Sequence, residues 1–387
     1  MSTGIWNVIK REVRHLSSRP LYVVGMLVVP IVMSIFFVVM LSPGLPHKVP
    51  AAVVDLDHSQ MSRQLTRSLD AMELIDIQQL ENSYNDAIQA VQRGEIYGFF
   101  VIPEGFERDA IGGRATALTF YSNLTFYVPG TMIFKGFKTL AVTTSGKLVK
   151  TDLVSKGAPQ SMADTLLQPM TIQTHPLNNP WTNYSYYLST SFIPGLLELM
   201  IFLITVYSIA HELKTGSSRQ WLSAAGGNIY TAILGKLAPQ TLIFTIVGFG
   251  ANAMMFNYLH FPMHGPMWTM LLAMLLFVIA SQSFALLVCE LLPNLRLALS
   301  MCSLVGILAF SIAAFSFPLQ AMYGSVAIFS YIMPVRWYFL IYIDQALNGI
   351  PFYFSRLYYV ALLVFPLVAM LGTGRLKRAA ANPVYVP

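Results

Sequence analysis

Two groups of residues in this chain stand where their chemistry has to be explained. The first is Glu198, inside the apolar run FIPGLLELMIFLITVYSIA that begins at Phe192. An ionisable side chain near the middle of a bilayer costs a few kcal/mol, so it must face protein or a water-filled cavity. Glu198 then reads as a pathway or dimer-contact residue, or else its helix sits so that the carboxylate reaches the outer headgroups. The second group follows directly: Glu212-Leu-Lys-Thr-Gly216-Ser217-Ser-Arg219-Gln220-Trp221-Leu222, then Leu234-Gly235-Lys236-Leu237-Ala-Pro239. It is polar, carries Lys214, Arg219 and Lys236, and contains Gly216, Gly226 and Gly227. Hydrolytic or nucleotide-binding chemistry has no foothold: the sequence holds no GxxxxGK[ST], GxSxG or HExxH. The seven histidines lack metal-ligand spacing. No catalytic residue, metal site or resident cofactor is expected.

The elements around these residues are built for lipid. Of 387 residues, 55% are hydrophobic and only 11% charged, against about 25% charged in soluble chains. The net charge of +6 comes from basic residues beside apolar runs, so it reads as membrane topology and not as a nucleic-acid surface. Cys289 and Cys302 both fall in apolar runs, which suits small core residues better than a disulfide.

Taken in order, residues 1–20 predict a cytoplasmic amphipathic elbow helix, with Ile5, Ile9, Val13 and Leu16 on one face and Lys10, Arg11 and Arg14 on another. A basic flank that only sets orientation is the simpler alternative. A bilayer-spanning helix needs about 20 mostly apolar residues, and the runs predict six: 21–41, 189–210, 237–256, 267–292, 297–317 and 354–371. Residues 211–236 form a cytoplasmic segment between the second and third. The broken apolar stretch 318–353, with Pro318, Gly324, Pro334 and Pro351, suits a re-entrant or interfacial segment. There Asp344, like Glu290 at the end of the fourth run, is expected near the interface. Residues 372–387 make a basic cytoplasmic tail.

Residues 42–188 differ in kind. Short runs such as AAVVDL (51–56) and YGFFVI (97–102) alternate with amphipathic helical stretches, which implies a small α/β domain with a mixed sheet. Thr125 to about Gln168 reads as more continuously helical. The expected fold is an α-helical polytopic membrane protein of six transmembrane helices, with an α/β extracytoplasmic domain inserted between helices 1 and 2 and both termini cytoplasmic.

The polar hairpin resembles the cytoplasmic segment of ABC-2 type permeases, the membrane subunits of ATP-binding-cassette exporters, which tend to read ExxxGTxEQL and then LGKxxP. Glu212, Gly216 and Gln220 match; Ser217 replaces the usual Thr and Arg219 the usual acid. VVDLDHS (53–59) and RGEIYGFFVIPEGF (93–106) are similar to recurring blocks in the large-external-domain branch. The resemblance implies a permease that works as a dimer with a second or homologous copy. A separate cytoplasmic ATPase dimer holding ATP and Mg would move a short helix near 215–225. Glu212, Gly216, Ser217, Arg219 and Gln220 would couple the two, with Trp221 and Leu222 as docking anchors, since interfaces favour Trp. It further implies export of an amphipathic or apolar cargo across a bacterial inner membrane, a route that a periplasmic adaptor and outer-membrane channel could continue. No nucleic-acid partner is expected. A non-transporting receptor or secretion scaffold of the phage-infection-protein type is the competing reading, and it has no need of the hairpin.

Overall fold

The apolar runs form long helices because lipid-level backbone must satisfy its own hydrogen bonds. A computed structural model describes residues 4–383 apart from 115, 158, 161, 163–178, 180–182, 314, 316 and the side chain of 152. The chain divides into two units, Met1–Gly44 with Pro176–Pro387, and Leu45–His175.

In the helical unit, α1 (Ile5–Ser18) precedes α2 (Pro20–Leu41). After the second unit in sequence come α7 (Tyr184–Thr215), the short α8 (Ser218–Ala224), α9 (Ile229–Tyr258), α10 (Met267–Leu291) and α11 (Leu295–Ile312). A bent pair follows, α12 (Gly324–Tyr331) and α13 (Pro334–Leu347), crossing at 80°, and α14 (Phe352–Ala381) closes the series. Among the described residues, six of these helices (α2, α7, α9, α10, α11 and α14) are long and apolar enough to cross a membrane. The protein is therefore a multi-pass membrane protein. Asparagines start three of them: the side chains of Asn183, Asn228 and Asn294 accept N–H groups of the first turns of α7, α9 and α11. The Asn183 side chain, first residue of a formal glycosylation sequon, is thus already used as a cap.

Burial ranks the spans. The apolar windows of α7 and α10 are 67% and 61% buried, against 22–28% for α2, α11 and α14, so α7 and α10 form the centre. Several boundaries differ from the sequence reading. Helix α9 begins at Ile229, so Lys236 lies inside the helix and not in the segment before it. Helix α14 runs to Ala381, so the basic stretch after 371 continues the span as helix. The segment 318–353 does contain a sharply bent helix pair.

The second unit has β1 (Val49–Asp55), α3 (Gln60–Asp70), β2 (Ile75–Glu81), α4 (Tyr84–Arg93), β3 (Gly98–Ile102), α5 (Phe106–Ile111), β4 (Thr119–Ser122) and α6 (Tyr127–Ser155). The sheet order is β2-β1-β3-β4, with β1 parallel to both neighbours and β4 antiparallel to β3. It is the mixed sheet the alternation predicts. Because successive side chains point to opposite faces, Ala51, Val53, Phe100 and Ile102 pack on one side with Leu65, Leu69 and Phe137. Ala52, Val54 and Phe99 pack on the other with Ala87 and Ala90. The helical expectation beyond Ser155 falls largely on residues outside those described.

Candidate functional site

The hairpin of α7, α8 and α9 meets α1 in a solvent-excluded cluster of charges. The first helix buries Val8, Glu12 and Leu16, spaced by four so that they share one face. Ile5 and Val13, expected on that face, are instead exposed. An acid in the middle of a buried stripe needs a partner, because unpaired buried charge is costly. Lys236 provides it: its ammonium lies 2.7 Å from Glu12 Oε2 and 3.0 Å from Glu212 Oε1. Arg11 closes on the same Glu212 with a two-pronged fork at 2.6 and 2.7 Å. Ser217 donates to Glu212 Oε2 at 2.6 Å. Gln240 and Ser208 each donate to Glu12 Oε1 at 3.1 Å. Two cations and two carboxylates balance, and Glu12, Glu212 and Lys236 are each at most 2% exposed.

Local backbone makes this meeting feasible. Gly216 ends α7 at φ +72, a conformation glycine adopts without strain, and the turn it permits returns Ser217 to Glu212. Gly235 lets α1 approach α9: a Cβ there would lie 2.7 Å from Val8 Cβ and 3.1 Å from the Ile5 carbonyl oxygen. Lys236 also sits 5.4 Å from the centre of the Trp221 ring, within cation–π range.

Trp221, read from the sequence as an outward docking anchor, is fully buried, and its indole N–H donates to the Ala232 carbonyl at 3.0 Å. It ties α8 to α9 inside the chain. Leu222 is half-buried against the same core. The outward residues of α8 are Arg219, Gln220 and Ser223. Arg219 Nε donates to the Ala381 carbonyl and the Ser218 hydroxyl to that of Ala380, so α8 rests on the end of α14. A cation beside helix-terminal carbonyls is favourable, which gives Arg219 a local role.

Glu12, His15 and Glu212 bring possible metal-ligand atoms within 4.8 Å of one another. Arg11 and Lys236 already hold both carboxylates, so the cluster is an ion-pair network. Burial, then the Arg11 charge, hold the His15 imidazole below its ordinary pKa, so it stays neutral beside the two cations.

Glu198 lies apart from this cluster and is fully buried. Its Oε1 accepts the Val335 N–H at 2.9 Å, in the first turn of α13, where a carboxylate meets both unpaired N–H groups and the positive end of the helix dipole. Tyr338 of the same helix donates to Asn252 of α9 at 2.9 Å. Glu198 is therefore held inside the protein, bonded to the start of α13. Glu290, one residue before the end of α10, is also buried, against Gly372 of α14, with both carboxylate oxygens unbonded among the described residues. Asp344 is half-buried.

Sequence reasoning missed Glu12, Arg11 and the interior place of Lys236. The one local signal was an acid spaced by four from Val8 and Leu16. A comparison with curated proteins finds no match. The family model for ABC-2 family transporter proteins matches residues 21–374. That span takes in all or most of each of the six apolar helices, the inserted α/β unit and the whole hairpin, and on it the chain belongs to the ABC-2 family of transporter proteins, as a membrane permease component.

Proposed function

We infer that this chain is the membrane-spanning subunit of an ATP-driven exporter, moving an amphipathic or apolar cargo by alternating access under the control of a separate cytoplasmic ATPase dimer. ABC-2 permeases generally work with such a partner, which would hold the ATP and Mg. The observation that carries the reading is the charge lock joining α1, α7 and α9 around the hairpin. A push on α8 is passed to both flanking spans at once, because Glu212 at the end of α7 and Lys236 in α9 share one hydrogen-bonded cluster. The outward face of α8, with Arg219, Gln220 and Ser223, is the face offered to the ATPase, while Trp221 stiffens the lever from within. A second permease copy would complete the pathway. The hairpin then faces the cytoplasm of a bacterial inner membrane, and the α/β unit lies on the far side, available to cargo or an adaptor.

Cysteine cross-linking tests this reading. Single cysteines at Gln220 and Ser223 are expected to capture a co-purified ATPase in an ATP-dependent manner, and one at Trp221 is not. If no ATPase associates with the chain in lipid, the receptor or scaffold reading takes its place.

A further inference from the structure

Three helices leave a cavity of about 530 Å³ between α9, α10 and α14, within the range of about 300–1,000 Å³ that accommodates small organic molecules. Its wall is largely aliphatic, including Leu237, Leu275, Ile279 and Pro366, and it holds no Asp, Glu, Lys, Arg or His. Leu234, Leu242 and Met370 stand at its rim and are 51–63% exposed. These positions lie within helices long and apolar enough to cross a membrane.

Six polar side chains interrupt that wall (Tyr230, Thr241, Thr245, Gln282, Ser283 and Thr373), and two of them are buried with an atom left unbonded among the described residues. Gln282 is 2% exposed, and its Oε1 lies 2.6 Å from the Thr241 hydroxyl, but its Nε2 makes no hydrogen bond among the described residues. Thr245, one turn beyond Thr241, is 7% exposed, and its hydroxyl is likewise unbonded. A donor without an acceptor in a lipid-level wall is costly, and two beside one cavity call for an acceptor. Neither the hairpin cluster nor the Glu198 contact uses them.

We propose that this cavity is a binding site for uncharged apolar molecules bearing a hydrogen-bond acceptor, such as a ketone or ester oxygen, that arrive from the hydrocarbon phase. The aliphatic wall takes the apolar body, and Gln282 and Thr245 take the acceptor. The reading rests on the permease assignment only for its purpose, as a place where a cargo-like molecule is collected from the membrane. Occupancy itself needs neither ATP nor a partner, so failure of either reading is seen separately.

The test is photolabelling of the full chain in phospholipid nanodiscs with benzophenone, an apolar body with one ketone oxygen, followed by peptide mapping. Labelling is expected to concentrate on 234–245, 275–286 and 366–373, at least fivefold above the lipid-facing stretch of α11 that contains Leu304 and Ile307. Gln282→Leu should lower cavity labelling about tenfold, the effect of losing one hydrogen bond. Ala238→Phe blocks the rim without touching the amide and should do the same; it decides the matter if the Gln282 variant does not fold. Equal labelling of all lipid-facing helices overturns the proposal, as does labelling that survives both substitutions. Labelling obtained only with a phospholipid carrying benzophenone on its acyl chain also overturns it, because the occupant is then bilayer lipid.

Discussion

Glu12 of α1 and Lys236 of α9, 224 positions apart in the chain, meet at 2.7 Å with both side chains withdrawn from solvent. The contact fixes the first helix to the third long span and places Lys236 between two carboxylates.

Removing the cation alone leaves two buried acids with only Arg11 to oppose them. Lys236→Met is expected to destabilise the helical unit by about 3–5 kcal/mol, the usual cost of breaking a buried pair from one side. Glu12→Gln combined with Lys236→Met should recover part of that loss. Thermal unfolding in detergent or nanodiscs measures both; a double variant no better than the single one would remove the pair from the account.

A larger residue at Gly235 must push α1 away. Gly235→Ala should cost about 1–3 kcal/mol, as overpacking does, and should raise proteolytic cleavage after Lys10 and Arg11. Unchanged cleavage would mean that α1 adjusts without leaving.

Glu198→Leu removes the acceptor for the first turn of α13. A loss of about 1 kcal/mol is expected from the missing cap, felt locally. Hydrogen exchange should quicken at Val335–Phe339 while residues 221–233 keep their rates. Faster exchange in both places would mark Glu198 as a global packing residue.

The depressed pKa of His15 predicts a pH effect with a definite sign. Burial and Arg11 favour the neutral ring in the folded state, so its contribution is fully present above the unfolded value near 6.5 and is lost as pH falls through the lower folded value. Wild type should lose stability relative to His15→Gln between pH 7.5 and pH 5. A difference that stays constant across that window would contradict the assignment.

The sequence announced its elements better than its partnerships. Alternation places β1 and β3 within a residue or two, because a two-sided sheet core leaves a local pattern. The six apolar runs are equally plain, since lipid demands length. Lys236 reads locally as an orientation marker beside a span and Glu12 as one charge in a basic segment; only their meeting makes either a buried residue. Trp221 carries a type preference for interfaces, but its indole N–H finds Ala232 eleven positions on, which no preference encodes. Glu198 was legible as costly, whereas its partner, the Val335 amide 137 positions away, was not.

The separation of Glu12 from Lys236 also sets an order for synthesis. At roughly 5–20 residues per second, a ribosome that has added Glu12 needs roughly 10–45 s to reach Lys236. Throughout that interval the whole α/β unit is made while Glu12 lacks its cation, so α1 cannot settle into its buried place. Helix α1, made before α9, is therefore seated only once α9 has been made, and a chain halted before α9 would leave Glu12 without its cation.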